Sequence, residues 1–319
     1  MPQFESIGRI DRFDASLDAL IAPSAAVELL DVGFAWPEGP VWDAQGSCLL
    51  FSDIPRNVIY RWTEDGGAAA WMQPSGYTGI AYYGKEPGSN GLTFDSDGRL
   101  LACEHGDRRV SRLERRGGKV TVVDSYRGKR LNSPNDLVLS AGGDLYFTDP
   151  AYGLHRRYED PRRELPFCGV YLVRAGTREA VLVNDEFENP NGLAFAPGER
   201  SIYLTQSNPG AAFVLRYPLR GDGTFGPGSL VRDFTGRTSD GPGLPDGIKV
   251  DRAGNIFTTG PAGVWVLRPD GSVLGRIVTG CRVANLCWGD DGSTLYLCSD
   301  DYLCRIRTRT EGVIPGPSA

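Results

Sequence analysis

Glu38, Asn90, Asn135, Asn191, Asp246 and Asn285 occupy the same place in six short apolar segments, PEGPVWD, SNGLTFD, SPNDLVL, PNGLAFA, PDGIKVD and VANLCWG. Each segment opens on an amide or a carboxylate beside or near Gly or Pro. Brought together, Glu38, Asn135, Asn191 and Asp246 supply two carboxylates and two amide oxygens, with no thiolate or imidazole. Such hard oxygen donors suit a divalent cation: flexible geometry with several protein oxygens favours calcium, while magnesium, manganese and zinc stay open. Two carboxylates neutralise the ion, and the set leaves room for water and a substrate oxygen, as a catalytic metal requires. The competing reading treats Asn or Asp before Gly as turn residues bonding the local backbone. It suits Glu38 least, because Glu is a poor turn residue.

The elements that must position these groups repeat with them. The segments recur at roughly 40- to 55-residue intervals, the spacing of β-propeller blades. Segments two to six are each followed by a turn, at Asp97-Gly98, Gly142-Gly143, Pro197-Gly198, Ala253-Gly254 and Asp291-Gly292. Second strands follow as CLLFSD, LLACE, DLYFTD, SIYLTQ, NIFTTG and TLYLCSD, and third strands as VIYRW, VSRLE, GVYLV, FVLRY, VWVLR and LCRIR. Five repeats offer a fourth strand and the last does not. An unassigned strand, VELLDV at Val27 to Val32, precedes the first repeat. Because an open blade edge invites aggregation, the expectation is a six-bladed, all-β propeller whose sixth blade is closed by this N-terminal strand. Residues 1–319 then form one domain, with 1–26 packed on the ring, a short helix over FDASLDALI, and a tail at 309–319.

Composition fits a soluble all-β chain. Of 319 residues, 42 are Gly and 22 are Pro, which suits a turn-rich fold. The formal charge of −6 argues against a nucleic-acid partner without a concentrated basic face. The densest basic run, Arg108, Arg109, Arg112, Arg115 and Arg116, reads as a solvated third strand. No apolar run is long enough to span a bilayer and none has signal-peptide character, so the expected location is the cytoplasm, as a monomer or homodimer. Of the seven cysteines, Cys48, Cys103, Cys298 and Cys304 fall in strands where a reduced thiol packs as a small apolar group. Cys281 and Cys287 lack zinc-ribbon spacing.

Only two histidines occur. His105 follows the second strand of the second repeat, where it could carry a proton or bond a substrate, or be a plain loop residue. His155 lies in an insertion from Tyr152 to Glu164 that reads as a lid or specificity element, or as surface decoration.

FAWPEGPVWD, EPGSNGLTFDSDGRLLACEHGDRRVSRLE, GKRLNSPNDLVLSAGGDLYFTDPAYGL, NPNGLAFAPGERSIYLTQS, LPDGIKVDRAGNIF and VANLCWGDDGSTLYL together resemble the gluconolactonase-like branch of the senescence-marker-protein, gluconolactonase and luciferin-regenerating-enzyme family, over nearly all of residues 13–308. The resemblance implies a six-bladed propeller with a divalent metal, often calcium, in its channel, and lactone opening as the activity. Carried over by motif, Glu38, Asn191 and Asp246 are the implied ligands, and Asn135 a fourth ligand or a substrate contact. Animal members carry an Arg two residues before the third-blade Asn, where this chain has Ser133.

The implied chemistry is hydrolysis of a small lactone, a sugar-acid (gluconolactone-like) one by preference. The metal polarises the ester carbonyl as a Lewis acid, and Asp246 acts as base toward the attacking water while Glu38 is chiefly a ligand. Asn90, His105, Asn135, Tyr152 and Asn285 are the candidate contacts to substrate. Two alternatives stay open at this stage: a phosphotriesterase or arylesterase on the same metal site, and a non-catalytic interaction propeller.

Overall fold

Six antiparallel sheets are arranged as the repeat predicts, in a computed structural model that describes residues 4–317. The first comprises Pro37–Asp43, Cys48–Asp53, Val58–Thr63 and Gly67–Met72, and the second Ser89–Phe94, Leu100–Glu104, Arg109–Leu113 and Lys119–Val123. The third comprises Leu137–Leu139, Leu145–Asp149, Gly169–Val173 and Ala180–Asn184, and the fourth Pro190–Phe195, Ser201–Asn208, Ala211–Pro218 and Ser229–Asp233. The fifth is built on Ile248–Val250, Ile256–Gly260, Gly263–Leu267 and Val273–Val278, and the sixth on Val283–Gly289, Thr294–Ser299 and Tyr302–Arg307. The glycines at the predicted turns, Gly98, Gly143, Gly198, Gly254 and Gly292, all adopt positive φ, which a tight hairpin requires.

Closure of the ring follows the N-terminal strand. Val27–Val32 pairs antiparallel with Tyr302–Arg307, with Val32 opposite Tyr302 and Val27 opposite Ile306. The segment before it does more than pack on the ring. Glu5–Ile7 adds a fifth strand to the sixth sheet and Arg9–Arg12 a fifth strand to the fifth sheet, so one stretch of chain ties two blades together. Arg305, buried in the last strand, donates to Glu28 at 2.5 Å and also to Glu64, which joins the sixth blade to the first.

FDASLDALI forms only a 3-10 helix at Ala15–Ala19, capped by Asp14, whose carboxylate accepts from the Ser16 N–H at 2.8 Å. It drives Leu17 and Ile21 into a core shared with Val266 and Leu274 of the fifth blade and Leu286 and Leu295 of the sixth. The first and sixth blades meet through Trp42, Phe51, Tyr296 and Cys298 in the same manner. Burial of each such side chain stabilises by about 1.5–3 kcal/mol. The tail packs as well: the Arg252 N–H donates to Glu311 O at 2.8 Å, and Gly312 lies flat on the Trp288 indole.

One reading of the basic run is corrected. Arg108 is buried rather than solvated, because its guanidinium donors satisfy the carbonyls of Leu131 (2.7 Å), Asn132 (3.1 Å) and Arg162 (2.9 Å). Arg109 beside it pairs with the buried Glu104 carboxylate at 2.6 Å. The cysteines are free, and the four named strand positions are buried. Among the described residues no helix is long and apolar enough to cross a membrane.

Candidate active site at the hub of the ring

The inner strands of blades one, two, four and six carry a register shift at Glu38/Val41, Ser89/Leu92, Pro190/Leu193 and Val283/Asn285. A β-bulge re-aims the side chain it displaces. Here the displaced positions include Asn90 and Asn191, with Glu38 and Asn285 at the edges of the shift. In blades three and five the donor instead precedes the strand and is held by backbone bonds. The Asn135 N–H donates to Thr148 O at 2.9 Å and the Asp246 N–H to Thr259 Oγ1 at 2.8 Å.

Neighbouring inner strands nearly touch where these groups lie. A Cβ on Gly39 would stand 2.0 Å from Asn90 O, and one on Gly192 would stand 2.3 Å from Asp246 O. The glycines that follow four of the six donors, Gly39, Gly91, Gly192 and Gly247, are thus needed for close approach at the hub.

A chain of side chains runs round the hub. Asn90 Nδ2 donates to Asn135 Oδ1 at 2.7 Å, and Asn135 Nδ2 donates to Asn191 Oδ1 at 2.7 Å. Asn191 Nδ2 donates to Ser207 Oγ at 2.9 Å. From the other side Asn285 Nδ2 donates to Glu38 Oε2 at 3.0 Å, where the Gly39 N–H also donates at 2.9 Å. Asp246 Oδ1 is buried without a partner. Burial pushes the Glu38 carboxyl up from its ordinary 4.5 to about 7, against the opposing hydrogen bonds from Gly39 and Asn285. Burial, and then the charge of Glu38, raises Asp246 well above the carboxylate range. Burial dominates both shifts, and negative neighbours add to them, Asp136 at Glu38 and Glu38 at Asp246.

That arrangement fits a divalent cation. The donors are oxygens, each amide oxygen keeps a free lone pair, and the unpartnered Asp246 oxygen is what a cation would satisfy. No cluster of three or more His, Cys, Asp or Glu suited to a metal occurs among the described residues. The hub set has a different composition, two carboxylates with amides.

His105 lies in the turn after Leu100–Glu104 and is fully buried; burial pushes its imidazole down to about 4, and neither ring nitrogen has a hydrogen-bond partner. The Tyr152 hydroxyl is also buried and unpartnered, near Asp246 and Ser207. Asn285 has both ends engaged, its oxygen accepting from the Leu286 N–H at 2.9 Å. Ser133 is committed too, donating to Pro150 O at 2.6 Å and accepting from the Gly153 N–H at 2.9 Å.

The fold and this hub meet a known family. The model described as "SMP-30/Gluconolactonase/LRE-like region" matches residues 36–301. The chain belongs to that family. Within it, the chain is 37% identical to the Gluconolactonase of Zymomonas mobilis, covering 96% of this chain and 88% of that protein. It is 29% identical to the Pentonolactonase XacC of Haloferax volcanii, over 84% of this chain and 83% of the relative. A solved gluconolactonase from Xanthomonas campestris superposes with a TM-score of 0.82 at 28% identity, covering 97% of this chain and 99% of that one.

Some residues of this gluconolactonase-family hub escape motif reasoning. Asp136 follows Asn135, is buried, and leaves Oδ2 without a partner; burial raises its pKa and the Lys249 charge opposes that. Asp149 is buried, accepts from the N–H groups of Asn132 (2.7 Å) and Ser133 (2.8 Å), and so fixes the loop that presents Asn135. Glu86 lies beside His105, with 3.9 Å between Oε2 and Nδ1. The sequence signal available for Asp136 is its adjacency to Asn135, whereas Glu86 sits in a loop with no repeat to mark it. A cavity of about 370 Å³ lies further along the inner strands, lined by Val41, Leu92, Asp136, Lys249 and Trp288 and bounded by Val313 and Pro315 of the tail. It is mostly apolar and holds only Asn285 of the six donors.

Proposed function

We propose that the chain is a lactone-hydrolysing enzyme acting on a small sugar-acid lactone of the gluconolactone kind, with one divalent cation held by Glu38, Asn135, Asn191 and Asp246. The observation that supports the reading is that the charge of the buried Glu38 acts on Asp246, whose buried Oδ1 has no partner, at a hub where the Asn135 and Asn191 amides are linked to one another. The lactonases among its relatives support the substrate class. An oxygen-only set of this kind favours calcium.

When bound, the cation supplies Lewis-acid polarisation of the ester carbonyl. Asp246 would hold the cation through the unpartnered Oδ1 and take the proton of the attacking water on its other carboxylate oxygen. Water oxygen bonds to the carbonyl carbon, the ring C–O bond breaks, and the released alkoxide recovers a proton from Asp246, leaving the hydroxy acid. Glu38 is held still by Gly39 and Asn285, so it serves as a fixed anion while Asn285 positions it. Asn90 Oδ1, His105 and the Tyr152 hydroxyl, each with unpartnered polar atoms, are left to meet substrate hydroxyls.

Acid release from δ-gluconolactone at constant pH tests this reading. The wild type loaded with calcium should exceed the spontaneous rate, and Glu38→Ala, Asp246→Ala and exhaustive chelation should each remove the excess with the fold retained by circular dichroism. Full activity in any of the three contradicts it.

A further inference from the structure

Two loops outside the repeat close over one side of the hub. The first, residues 73–88, is pinned at its base by Asn57, whose Oδ1 accepts from the N–H groups of Ser75 (3.0 Å), Gly76 (2.8 Å) and Tyr77 (3.2 Å). From it Tyr83 turns inward and donates its hydroxyl to His105 O at 2.9 Å. The second is the insertion that begins at Tyr152. It reaches the first where the Arg162 guanidinium covers the Tyr83 ring at 4.7 Å and where His155 meets Tyr82 edge to face at 6.0 Å. Gly153 passes so close to His105 that a Cβ there would lie 2.4 Å from the His105 Cβ. The insertion is thus neither free decoration nor a separate flap: with the first loop it clamps His105 from two directions.

The clamp holds His105 with both ring nitrogens unpartnered, although the side chain is fully buried. The Glu86 carboxylate, 30% exposed, stands 3.9 Å from Nδ1, too far for a direct hydrogen bond. Glu86 also lies within electrostatic reach of Asp246. The Tyr152 hydroxyl, near Asp246, completes a wall of polar atoms that the protein leaves unmatched.

We propose that Glu86, together with His105, is the specificity element by which this site selects a polyhydroxylated lactone over one without hydroxyls. The proposal rests on the lactonase reading above. A ring hydroxyl donating to Glu86 and meeting a His105 nitrogen satisfies both groups at once. A lactone lacking that hydroxyl leaves them desolvated and unpaired, which is the condition under which binding sites reject an analogue most strongly.

The test compares kcat/KM for δ-gluconolactone and for δ-valerolactone, the same ring size without hydroxyls, in the calcium-loaded wild type, Glu86→Gln and Glu86→Ala. The ratio of the two values should fall roughly ten- to hundredfold in Glu86→Ala, the expected effect of losing a hydrogen bond to a charged group. The loss should lie chiefly in KM for the sugar lactone, and Glu86→Gln, which keeps an acceptor oxygen, should lose less. A ratio that stays within twofold in Glu86→Ala overturns the proposal, whether both rates fall together or neither does. A wild type that opens neither lactone refutes the lactonase reading and this proposal with it, so the two failures are distinguishable.

Discussion

Replacing Glu38 by Gln should make the metal-free protein more stable at alkaline pH while destroying its activity. The carboxylate is 2% exposed, and burial raises its pKa from 4.5 to about 7. Holding it ionised in the fold therefore costs about 3 kcal/mol, at about 1.4 kcal/mol per pKa unit. The folded pKa lies above the unfolded one, so the cost is absent below pH 4.5, grows between 4.5 and about 7, and is full above that. Glutamine escapes it at little loss of bonding, because Gly39 and Asn285 both donate to the same oxygen, Oε2, which the amide oxygen can replace. Urea unfolding in the presence of chelator is the assay. At pH 8 the Glu38→Gln midpoint should exceed the wild-type value by about 1 M, taking an m-value of about 3 kcal/mol/M. The difference should shrink to under about 1 kcal/mol at pH 5. Saturating calcium should reverse the order at pH 8, since a cation stabilises the fold that binds it. A Glu38→Gln protein less stable than the wild type in chelator at pH 8 would refute the reasoning.

Two further outcomes concern the scaffold. Deletion of residues 1–33 removes the strand that pairs with Tyr302–Arg307, together with Leu17 and Ile21, and should yield an aggregating or unfolded chain by circular dichroism; melting like the full chain would show that the ring does not need this closure. Gly312→Ala places a Cβ 1.9 Å from Trp288 Cδ1 and should destabilise by about 1–3 kcal/mol in thermal or chemical unfolding, with lactone hydrolysis at the hub retained below the melting temperature.

The blade strands were legible because alternation and turn glycines report local geometry directly, and the open last repeat pointed to Val27–Val32. What could not be read was where the first residues go. Glu5–Ile7 and Arg9–Arg12 are short and partly polar, and only the free edges offered by Val27–Val32 and Val273–Val278 make strands of them. At the hub, equivalence within the repeat marked all six donors, and a glycine follows four of them, although the purpose of those glycines, strand-to-strand contact, is a tertiary fact. Arg108 misled because a charge run looks alike whether its hydrogen-bond acceptors are water or the carbonyls of Leu131 and Asn132. Glu86 was invisible for the opposite reason: it belongs to a single loop, and its meaning comes from His105 and Asp246, which are distant in sequence.

The central claim is that Glu38 and Asp246 share a divalent ion, and calorimetric titration of calcium into the chelated chain measures it most directly. The account predicts saturation at one ion per chain in the wild type and no binding in Asp246→Ala. Absence of binding to the wild type, or equal binding by Asp246→Ala, would contradict it.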